Sequence, residues 1–193
     1  MGKEARIDTK LVDQAIIFAT EAHSGAERRG KGFPYIVHPL EALSIVATIT
    51  TDPELLAAAA LHDVIEDTNY TYEDIASRFG ERVARLVSSE SDVQFPEMSE
   101  SESWRMRKEI AMQHLKSADL DTKIVAIGDK LSNMRAMARD YREIGDELWK
   151  RFHVTDKSEH SWRYHGLVDA FSGLEGTEPY TEFKNLVNEV FGE

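Results

Sequence analysis

Four ionisable residues, His62, Asp63, Glu66 and Asp67, fall within six positions at the end of an apolar stretch. That stretch opens with Asp52-Pro53, where the aspartate can cap a helix and the proline suits its first turn, and alanines and leucines follow. A helix is therefore predicted from the proline into the acidic cluster. Residues four apart share a face of such a helix, so His62 is placed beside Glu66. Asp63 is placed beside Asp67 in the same way.

A divalent cation would account for this cluster, because charges at the end of an apolar helix are costly without an opposite charge among them. Neutral imidazole and carboxylate suit manganese, iron or zinc. An adjacent His-Asp pair meets an ion only at the edge of its site, so other segments must complete the shell. The alternative is a buried histidine beside a solvated helix end, and for a lone pair that alternative is the better explanation.

Two further segments offer ligands of the same kind. His38 precedes Pro39, and because proline fits a first turn, His38 is predicted at the mouth of a helix, where it can point into a cleft. Asp129 and Asn133 lie four residues apart on a helix that opens after Asp119 and has apolar residues on two sides. A buried Asp129 needs a partner, and a metal ion or an arginine would serve equally well.

Two loops accompany these helices. The loop at residues 24–35 carries Arg28, Arg29 and Lys31 among three glycines. It is either a flexible surface turn or a cradle for an anion or a stacked base. The segment at residues 89–101 is acidic and rich in serine, and it is predicted to be a mobile loop that could serve as a flap.

The composition limits the possible partners. A chain of 193 residues, 41% hydrophobic and 30% charged, predicts one domain. It has no cysteine, so a metal must be held by His, Asp or Glu. The net charge of −12 argues against nucleic acid or an anionic membrane as the main partner, but not against a small anionic substrate. No membrane span or signal peptide is evident, so a cytoplasmic protein is expected. Nothing in the sequence indicates an oligomeric state.

The rest of the chain shows helical patterns and no strand pattern, so an all-α fold is predicted. The other helices are predicted at residues 9–23, 39–47, 72–79, 81–88, 104–116, 145–170 and 179–191. The basic residues Arg105, Arg107 and Lys108 are interpreted as a solvated helix face. The histidines without a ligand-like neighbour are interpreted as structural or surface residues: His114, His153, His160 and His165.

The candidate ligands follow a definite order: a histidine before a proline, a His-Asp pair 24 residues later, and an aspartate 66 residues after Asp63. This order resembles the HD-domain metal-dependent phosphohydrolase superfamily. Within it, residues 33–40, 61–68 and 128–134 resemble the hydrolase domain of the RelA/SpoT alarmone enzymes. The chain is similar to the small, hydrolase-only, Mesh1-like members of that group.

The resemblance extends from about Ile7 to Arg142. It implies an all-α HD-domain helical bundle forming a single domain over residues 1–193, with a core at about 7–142 and C-terminal helices at about 145–191. It also implies hydrolysis of guanosine tetra- or pentaphosphate (ppGpp or pppGpp) at the 3′ position, usually with manganese, to release pyrophosphate and GDP or GTP. A synthetase domain has no room in this chain, so degradation of the alarmone is expected and not its synthesis.

The resemblance also assigns roles to residues. The metal ligands would be His38, His62, Asp63 and Asp129. This set leaves an open coordination position at which a metal can lower the pKa of a water and polarise a phosphoryl oxygen. Glu66 is expected to be the general base, with Asp67 as its orienter or proton shuttle. The alternative for both is support of the ligands.

On the substrate side, Arg28 or Arg29 resembles the basic residue that packs on the guanine in this family, since a guanidinium stacks on a base and attracts phosphates. An apparent one-residue insertion in this loop leaves open which of the two arginines takes that position. With Phe33 in place of a more usual polar residue, it makes the base preference uncertain. The other expected contacts are Lys31 to a phosphate, Asn133 near the ribose and base, and Tyr35 either in binding or in packing.

Two other functions remain open. One is an HD phosphohydrolase that acts on another nucleotide, such as a deoxynucleoside monophosphate or the 2′-phosphate of NADPH. The other is a catalytically idle nucleotide-binding module. The intact set of ligands and acidic residues argues against the idle module, because binding alone needs no activated water.

Overall fold

The computed structural model describes residues 8–192. Residues 1–6, which bear on the expected lack of a signal peptide, and Ile7, where the resemblance begins, lie outside the described residues. The described residues form ten α-helices and one 3-10 helix, with one isolated β-bridge between Glu27 and Pro34 and no longer strand, so the predicted all-α class is confirmed. The α-helices are α1 (Lys10–Ala22), α2 (Val37–Val46), α3 (Pro53–Leu61), α4 (Val64–Asp67), α5 (Tyr72–Phe79), α6 (Glu81–Ser88), α7 (Glu100–Ser117), α8 (Leu120–Ile144), α9 (Lys157–Ala170) and α10 (Glu178–Phe191).

Helix α3 lies at the centre of the bundle and packs against α1, α2, α6 and α8. Its start follows the sequence, because the Asp52 carboxylate accepts a hydrogen bond of 2.9 Å from the backbone N–H of Glu54 and Pro53 occupies the first turn. Residues 57–60 are four alanines with no exposed surface. Their small side chains let neighbouring helices approach closely on several sides, which brings other segments near the end of α3.

The central helix is shorter than predicted. It ends at Leu61, and a separate turn of helix, α4, carries Glu66 and Asp67. The backbone leaves regular helical geometry at Asp63, with φ −92° and ψ −3°. The predicted continuous helix through the acidic cluster was therefore wrong, because a turn at Asp63 interrupts it.

Helix α8 is the longest helix, with 25 residues, and it packs against α2, α3 and α10. Asp119 caps it, as predicted from the sequence. A Cβ on Gly128 would lie 2.8 Å from the carbonyl oxygen of Ala42 in α2, which is too close for any other residue without a shift of the backbone. Gly128 thus allows α2 and α8 to approach closely beside Asp129.

Helix α7 begins at Glu100, four residues before the predicted start. Ser99 and Glu102 form a capping box that extends the helix toward the N-terminus. The predicted mobile loop is correspondingly shorter. Its first half is also anchored, since Asp92 is largely buried and pairs with Arg107 and Lys108.

The predicted helix at residues 145–170 is interrupted. Residues Gly145–Arg151 form a 3-10 helix, and α9 begins only after Asp156, whose side chain caps it. Trp149, Phe152 and His160 pack together in the intervening bend, with ring centroids 4.8–6.2 Å apart. This aromatic packing holds the bend in place of a continuous helix.

One hydrophobic cluster contains residues from Ala15 in α1 to Val190 in α10, so the described helices share a single core. Within residues 8–192, no helix is both long enough and apolar enough to cross a lipid bilayer.

Candidate active site

Three segments bring the four predicted metal ligands together. His38 lies in the first turn of α2, His62 and Asp63 at the junction of α3 and α4, and Asp129 in the middle of α8. The two histidine Nε2 atoms are 3.3 Å apart. Asp129 Oδ1 lies 3.0 Å from His38 Nε2 and 3.6 Å from His62 Nε2. Asp63 Oδ2 lies 2.9 Å from His62 Nε2 and 3.5 Å from His38 Nε2.

The hydrogen bonds of the two imidazole rings suit them to a cation. His62 Nδ1 donates to the carbonyl oxygen of Ala59 at 2.9 Å, and His38 Nδ1 lies 2.7 Å from Ser132 Oγ. When each Nδ1 carries the hydrogen, both Nε2 lone pairs point at the same small space and cannot bond each other. A positive charge between them removes this conflict, whether a proton in the metal-free site or a divalent cation, and two carboxylates balance that charge. Within residues 8–192, His38, His62 and Asp129 form a buried group whose ligand atoms lie within 4.8 Å of one another.

The electrostatics of this cluster also attract positive charge. Burial opposes a charge on His62, but Asp63 and Asp129 outweigh it and raise the pKa of His62 well above its usual value. Burial likewise opposes ionisation of Asp63, yet the charge of His62 lowers the pKa of Asp63 to about 2. Against the same penalty, Lys130 and the two histidines hold the pKa of Asp129 well below its usual range. Both carboxylates are therefore ionised at neutral pH and available to a cation.

Glu66 and Asp67 lie on α4, one turn beyond the cluster, and both line the adjacent cavity. The cavity walls partly remove water from the Glu66 carboxylate, and the negative charges of Asp92 and Asp63 lie nearby. Together these effects raise the pKa of Glu66 to about 7. A carboxyl group with this pKa can accept a proton near neutral pH, which suits a general base.

The cavity beside the cluster has a volume of about 580 Å³, enough for a nucleotide-sized ligand. Besides Arg28, four basic residues line it that were not singled out from the sequence as candidates: Arg85, Lys108, Lys130 and Arg163. No local motif marks Arg85, Lys108 or Arg163, and Lys130 lies in the 128–134 segment without a role assigned to it. Helices α6, α7, α8 and α9 bring the four together only in the folded chain. They are the functional candidates that the sequence did not reveal.

The interpretation of Arg105, Arg107 and Lys108 as one solvated face was wrong for two of them. The side chains of Arg107 and Lys108 are only 14% and 15% exposed, and both pair with Asp92. Burial and the nearby charge of Arg163 lower the pKa of Lys108 to about 8. Arg105, by contrast, is half exposed, pairs with Glu159 and lies over the ring of Trp162.

In the basic loop, Arg28 alone lines the cavity beside the cluster, and Arg29 and Lys31 point elsewhere. The Arg28 guanidinium donates a hydrogen bond to Asn133 Oδ1 and lies 5.3 Å from the centre of the Tyr35 ring. Arg29 Nη1 is 3.3 Å from His153 Nε2. Lys31 pairs with Asp140 at 2.5 Å. All three basic residues line a second, neighbouring cavity of about 730 Å³.

Tyr35 and Asn133 both contact the aspartates of the cluster. The Tyr35 hydroxyl donates to Asp63 Oδ2 at 2.7 Å, and the Asn133 amide donates to Asp129 Oδ1 at 2.5 Å. Each bond fixes the orientation of a carboxylate. Because both side chains also line the cavity, they hold the aspartates in place and face the space where a ligand would lie.

The chain matches the HD domain family over residues 15–152. The bifunctional (p)ppGpp synthase/hydrolase SpoT of Escherichia coli (strain K12) is 37% identical over 131 residues. These cover 66% of this chain but only 18% of SpoT, so the chain corresponds to a small part of that relative. Guanosine-3′,5′-bis(diphosphate) 3′-pyrophosphohydrolase MESH1 of Xenopus tropicalis is 33% identical over 181 residues, which cover 92% of each protein.

A solved structure described as a metazoan ortholog of SpoT that hydrolyzes ppGpp shares the fold, with a TM-score of 0.75 over 98% of this chain and 100% of that one, at 21% sequence identity. The family match spans all four clustered residues, and the MESH1 similarity extends over nearly the full chain. The chain therefore belongs to the HD-domain family and, within it, to the MESH1 group.

Proposed function

We propose that this protein is a metal-dependent hydrolase that removes the 3′-pyrophosphate of ppGpp or pppGpp and releases GDP or GTP. The observation that carries the proposal is the convergence of two histidines and two aspartates beside Glu66 and a cavity whose lining includes arginines and lysines. Similarity to MESH1 over 92% of both chains supports the choice of substrate. In this proposal the hydrolase domain comprises residues 1–193, with a core at about 7–142, and acts in the cytoplasm on a small nucleotide.

His38, His62, Asp63 and Asp129 would hold one divalent cation, for which we propose Mn²⁺. Such a cation supplies Lewis-acid stabilisation of the charge that develops on a phosphoryl oxygen. The mixed nitrogen and oxygen donors fit manganese, iron or zinc. Tyr35 and Asn133 keep the two aspartates in orientation through their hydrogen bonds.

Glu66 would act as the general base. A water molecule attacks the phosphorus bonded to the 3′ oxygen of the ribose, and Glu66 accepts a proton from that water as the new P–O bond forms. The bond between this phosphorus and the 3′ oxygen then breaks, and the 3′ oxygen takes up a proton to become a hydroxyl. Asp67, next to Glu66 on α4, would orient the water or pass the proton onward.

For the substrate, Arg28 is the better choice for stacking on the guanine because it lines the cavity beside the cluster, whereas Arg29 does not. Asn133 would contact the ribose and base, and Lys31 a phosphate at the edge of the second cavity. Lys108 and Arg163 would attract the phosphates inside the first cavity. Together with the metal cation, these side chains would offset the carboxylates that line the same cavity and so favour an anionic substrate.

A substrate panel tests this proposal. Purified protein with Mn²⁺ is incubated with ppGpp, NADPH and deoxynucleoside monophosphates, and the products are separated by anion-exchange chromatography. We expect equal amounts of GDP and pyrophosphate from ppGpp, and none after addition of EDTA. Inorganic phosphate from another member of the panel, with ppGpp intact, would assign the site to a different nucleotide. No turnover of any substrate would support the idle module and overturn the proposal.

A further inference from the structure

A chain of hydrogen bonds connects His38 to the protein surface. Ser132, in α8 and only 2% exposed, lies 2.7 Å from His38 Nδ1 and donates through Oγ to Glu41 Oε2 at 2.8 Å. Arg135 lies 3.3 Å from the other oxygen of Glu41 and makes two bonds of 2.7 and 2.6 Å to Glu182 in α10. The chain thus runs from the buried cluster through α2 and α8 to α10.

The direction of each bond follows from the available hydrogens. Glu41 is partly exposed and paired with an arginine, so it is a carboxylate that can only accept. The single hydroxyl hydrogen of Ser132 therefore points at Glu41, and Ser132 Oγ can only accept from His38. His38 Nδ1 therefore carries a hydrogen whether the ring is neutral or charged. When the ring is neutral, as a metal ligand must be, the lone pair lies on Nε2, 3.0 Å from Asp129 Oδ1.

The two histidines of the cluster are held in different ways. The ring of His62 is fixed by a backbone carbonyl, which no side-chain substitution removes. The ring of His38 is fixed by a side chain that is itself oriented by another side chain. If Ser132 were absent, the Nδ1 hydrogen would lose its acceptor in a buried site, and the hydrogen could move to Nε2.

We propose that Ser132 and Glu41 are positioning residues that keep the hydrogen of His38 on Nδ1 and so present Nε2 to a divalent cation. The proposal rests on the proposed role of His38 as a metal ligand. Neither residue lines either of the two cavities, so their effect should fall on metal affinity and not on the chemical step at saturating metal.

The first test is Mn²⁺ binding by isothermal titration calorimetry to the wild type and to Ser132→Ala, Glu41→Ala and Glu41→Gln. We expect Ser132→Ala and Glu41→Ala to weaken binding by about tenfold to a hundredfold, as for other residues that orient metal-ligating histidines. Glu41→Gln keeps an oxygen acceptor and should weaken binding less. At saturating Mn²⁺, kcat should remain close to that of the wild type.

Ser103→Ala is the matched control. Ser103 in α7 is equally buried, at 3% exposure, but its hydroxyl bonds only the carbonyl oxygen of Ser99, the N-cap of that helix, away from the cluster. It should leave Mn²⁺ affinity unchanged. Wild-type affinity in both Ser132→Ala and Glu41→Ala would overturn the proposal. Because Glu41 is about one third exposed, its variants are expected to fold even if Ser132→Ala does not.

A second readout does not depend on catalysis. Nitrogen-15 NMR of the histidine rings, with the diamagnetic ion Zn²⁺ bound, should place the His38 hydrogen on Nδ1 in the wild type. A hydrogen on Nε2 would overturn the proposed role of Ser132 and Glu41 whatever the calorimetry shows. If His38→Ala binds Mn²⁺ as tightly as the wild type, the proposed metal site fails instead. The position of the ring hydrogen in the metal-free protein then tests the role of Ser132 and Glu41 by itself.

Discussion

At the scale of single residues, Glu66 has a distinct position among the acidic groups of the site. It lies outside the cluster of ligands, yet its pKa of about 7 leaves it able to exchange a proton near neutral pH. We expect Glu66→Gln to bind Mn²⁺ normally and to lose about 10²-fold or more in kcat, in line with the usual contribution of a general base. Calorimetry and steady-state kinetics measure the two effects separately. A variant with near-normal kcat would assign Glu66 a supporting role.

The same residue predicts a pH dependence of stability. The pKa of Glu66 is 4.5 in its ordinary state and about 7 in the folded protein. A carboxyl group whose pKa is raised by folding stabilises the folded state while protonated. Its contribution is fully present below pH 4.5 and is lost as the pH rises through about 7.

In metal-free protein, the wild type should therefore lose free energy of unfolding relative to Glu66→Gln between pH 4.5 and pH 7. Urea denaturation at several pH values measures this difference. Parallel curves for the two proteins across that range would show that folding does not raise the pKa of Glu66.

The residues whose side chains are typical metal ligands were the ones that the sequence predicted. The types and order of His38, His62, Asp63 and Asp129 placed them in one predicted site, and the structure brings them together. Lys108 and Ser132 carry no comparable signal, because a lysine on a helix or a serine in a helix is usually unremarkable. Lys108 is buried beside Asp92, and Ser132 lies between His38 and Glu41 of α2. Both contacts join segments that are distant in the sequence.

At the scale of elements, the loop between α1 and α2 separates two arginines that the sequence left equivalent. Arg28 faces the cavity beside the cluster, while Arg29 lies near His153. We expect Arg28→Ala to raise KM by about tenfold or more, because stacking on a base is worth about 1–3 kcal/mol. Arg29→Ala, the matched control in the same loop, should change KM much less. A larger effect from Arg29→Ala would reverse the assignment.

The loop after α6 is held at Asp92, whose carboxylate is 9% exposed and contacts Lys108 and Arg107. Removal of its charge leaves two poorly solvated cations without a partner. We expect Asp92→Asn to lower the free energy of unfolding by on the order of 3–5 kcal/mol, as for a broken buried ion pair.

Thermal denaturation of Asp92→Asn is compared with that of Glu97→Gln, which removes the charge of an exposed residue in the same loop. The comparison separates the loss of the buried pair from the loss of one negative charge. Equal melting temperatures for the two variants would mean that the loop is not anchored through Asp92. An anchored loop start also limits any flap motion to the residues that follow Asp92.

The helix boundaries show which structural features can be predicted from local sequence alone. Asp52 caps α3 and Asp119 begins α8 as the sequence predicts, because a cap depends on residues within one turn. The capping box of Ser99 and Glu102 is equally local, and it begins α7 four residues before the start that periodicity predicts. The break after Leu61 could not be predicted in this way, because the local residues are compatible with a continuous helix and the packing around the cluster decides against it.

At the scale of the whole molecule, the cluster joins helices from three parts of the chain, α2, the junction of α3 and α4, and α8. A cation held there binds the folded state and not the unfolded chain, so it should stabilise the protein as a whole. At a free Mn²⁺ concentration of 100 times Kd, the stabilisation is about 2.7 kcal/mol. EDTA should lower the melting temperature of the wild type, and Asp129→Ala should show no response to either Mn²⁺ or EDTA. A normal Mn²⁺ response in Asp129→Ala would remove Asp129 from the ligand set.

The all-α architecture and its single core followed from composition and helical periodicity, since short-range patterns determine both. The two cavities and their distribution of charge did not, because both form between distant segments. The first lies where α6, α7, α8 and α9 meet, and the second lies between the loop before α2, α8 and α9. The extent of the domain over residues 1–193 remains a prediction.

The central claim is the hydrolysis of ppGpp by attack of water at the phosphorus bonded to the 3′ oxygen. The most direct measurement is a reaction with Mn²⁺ in water enriched in oxygen-18, with both products analysed by mass spectrometry. Our account predicts one oxygen-18 atom in the released pyrophosphate and none in GDP. Oxygen-18 in the GDP, or the release of two inorganic phosphates in place of pyrophosphate, would contradict it.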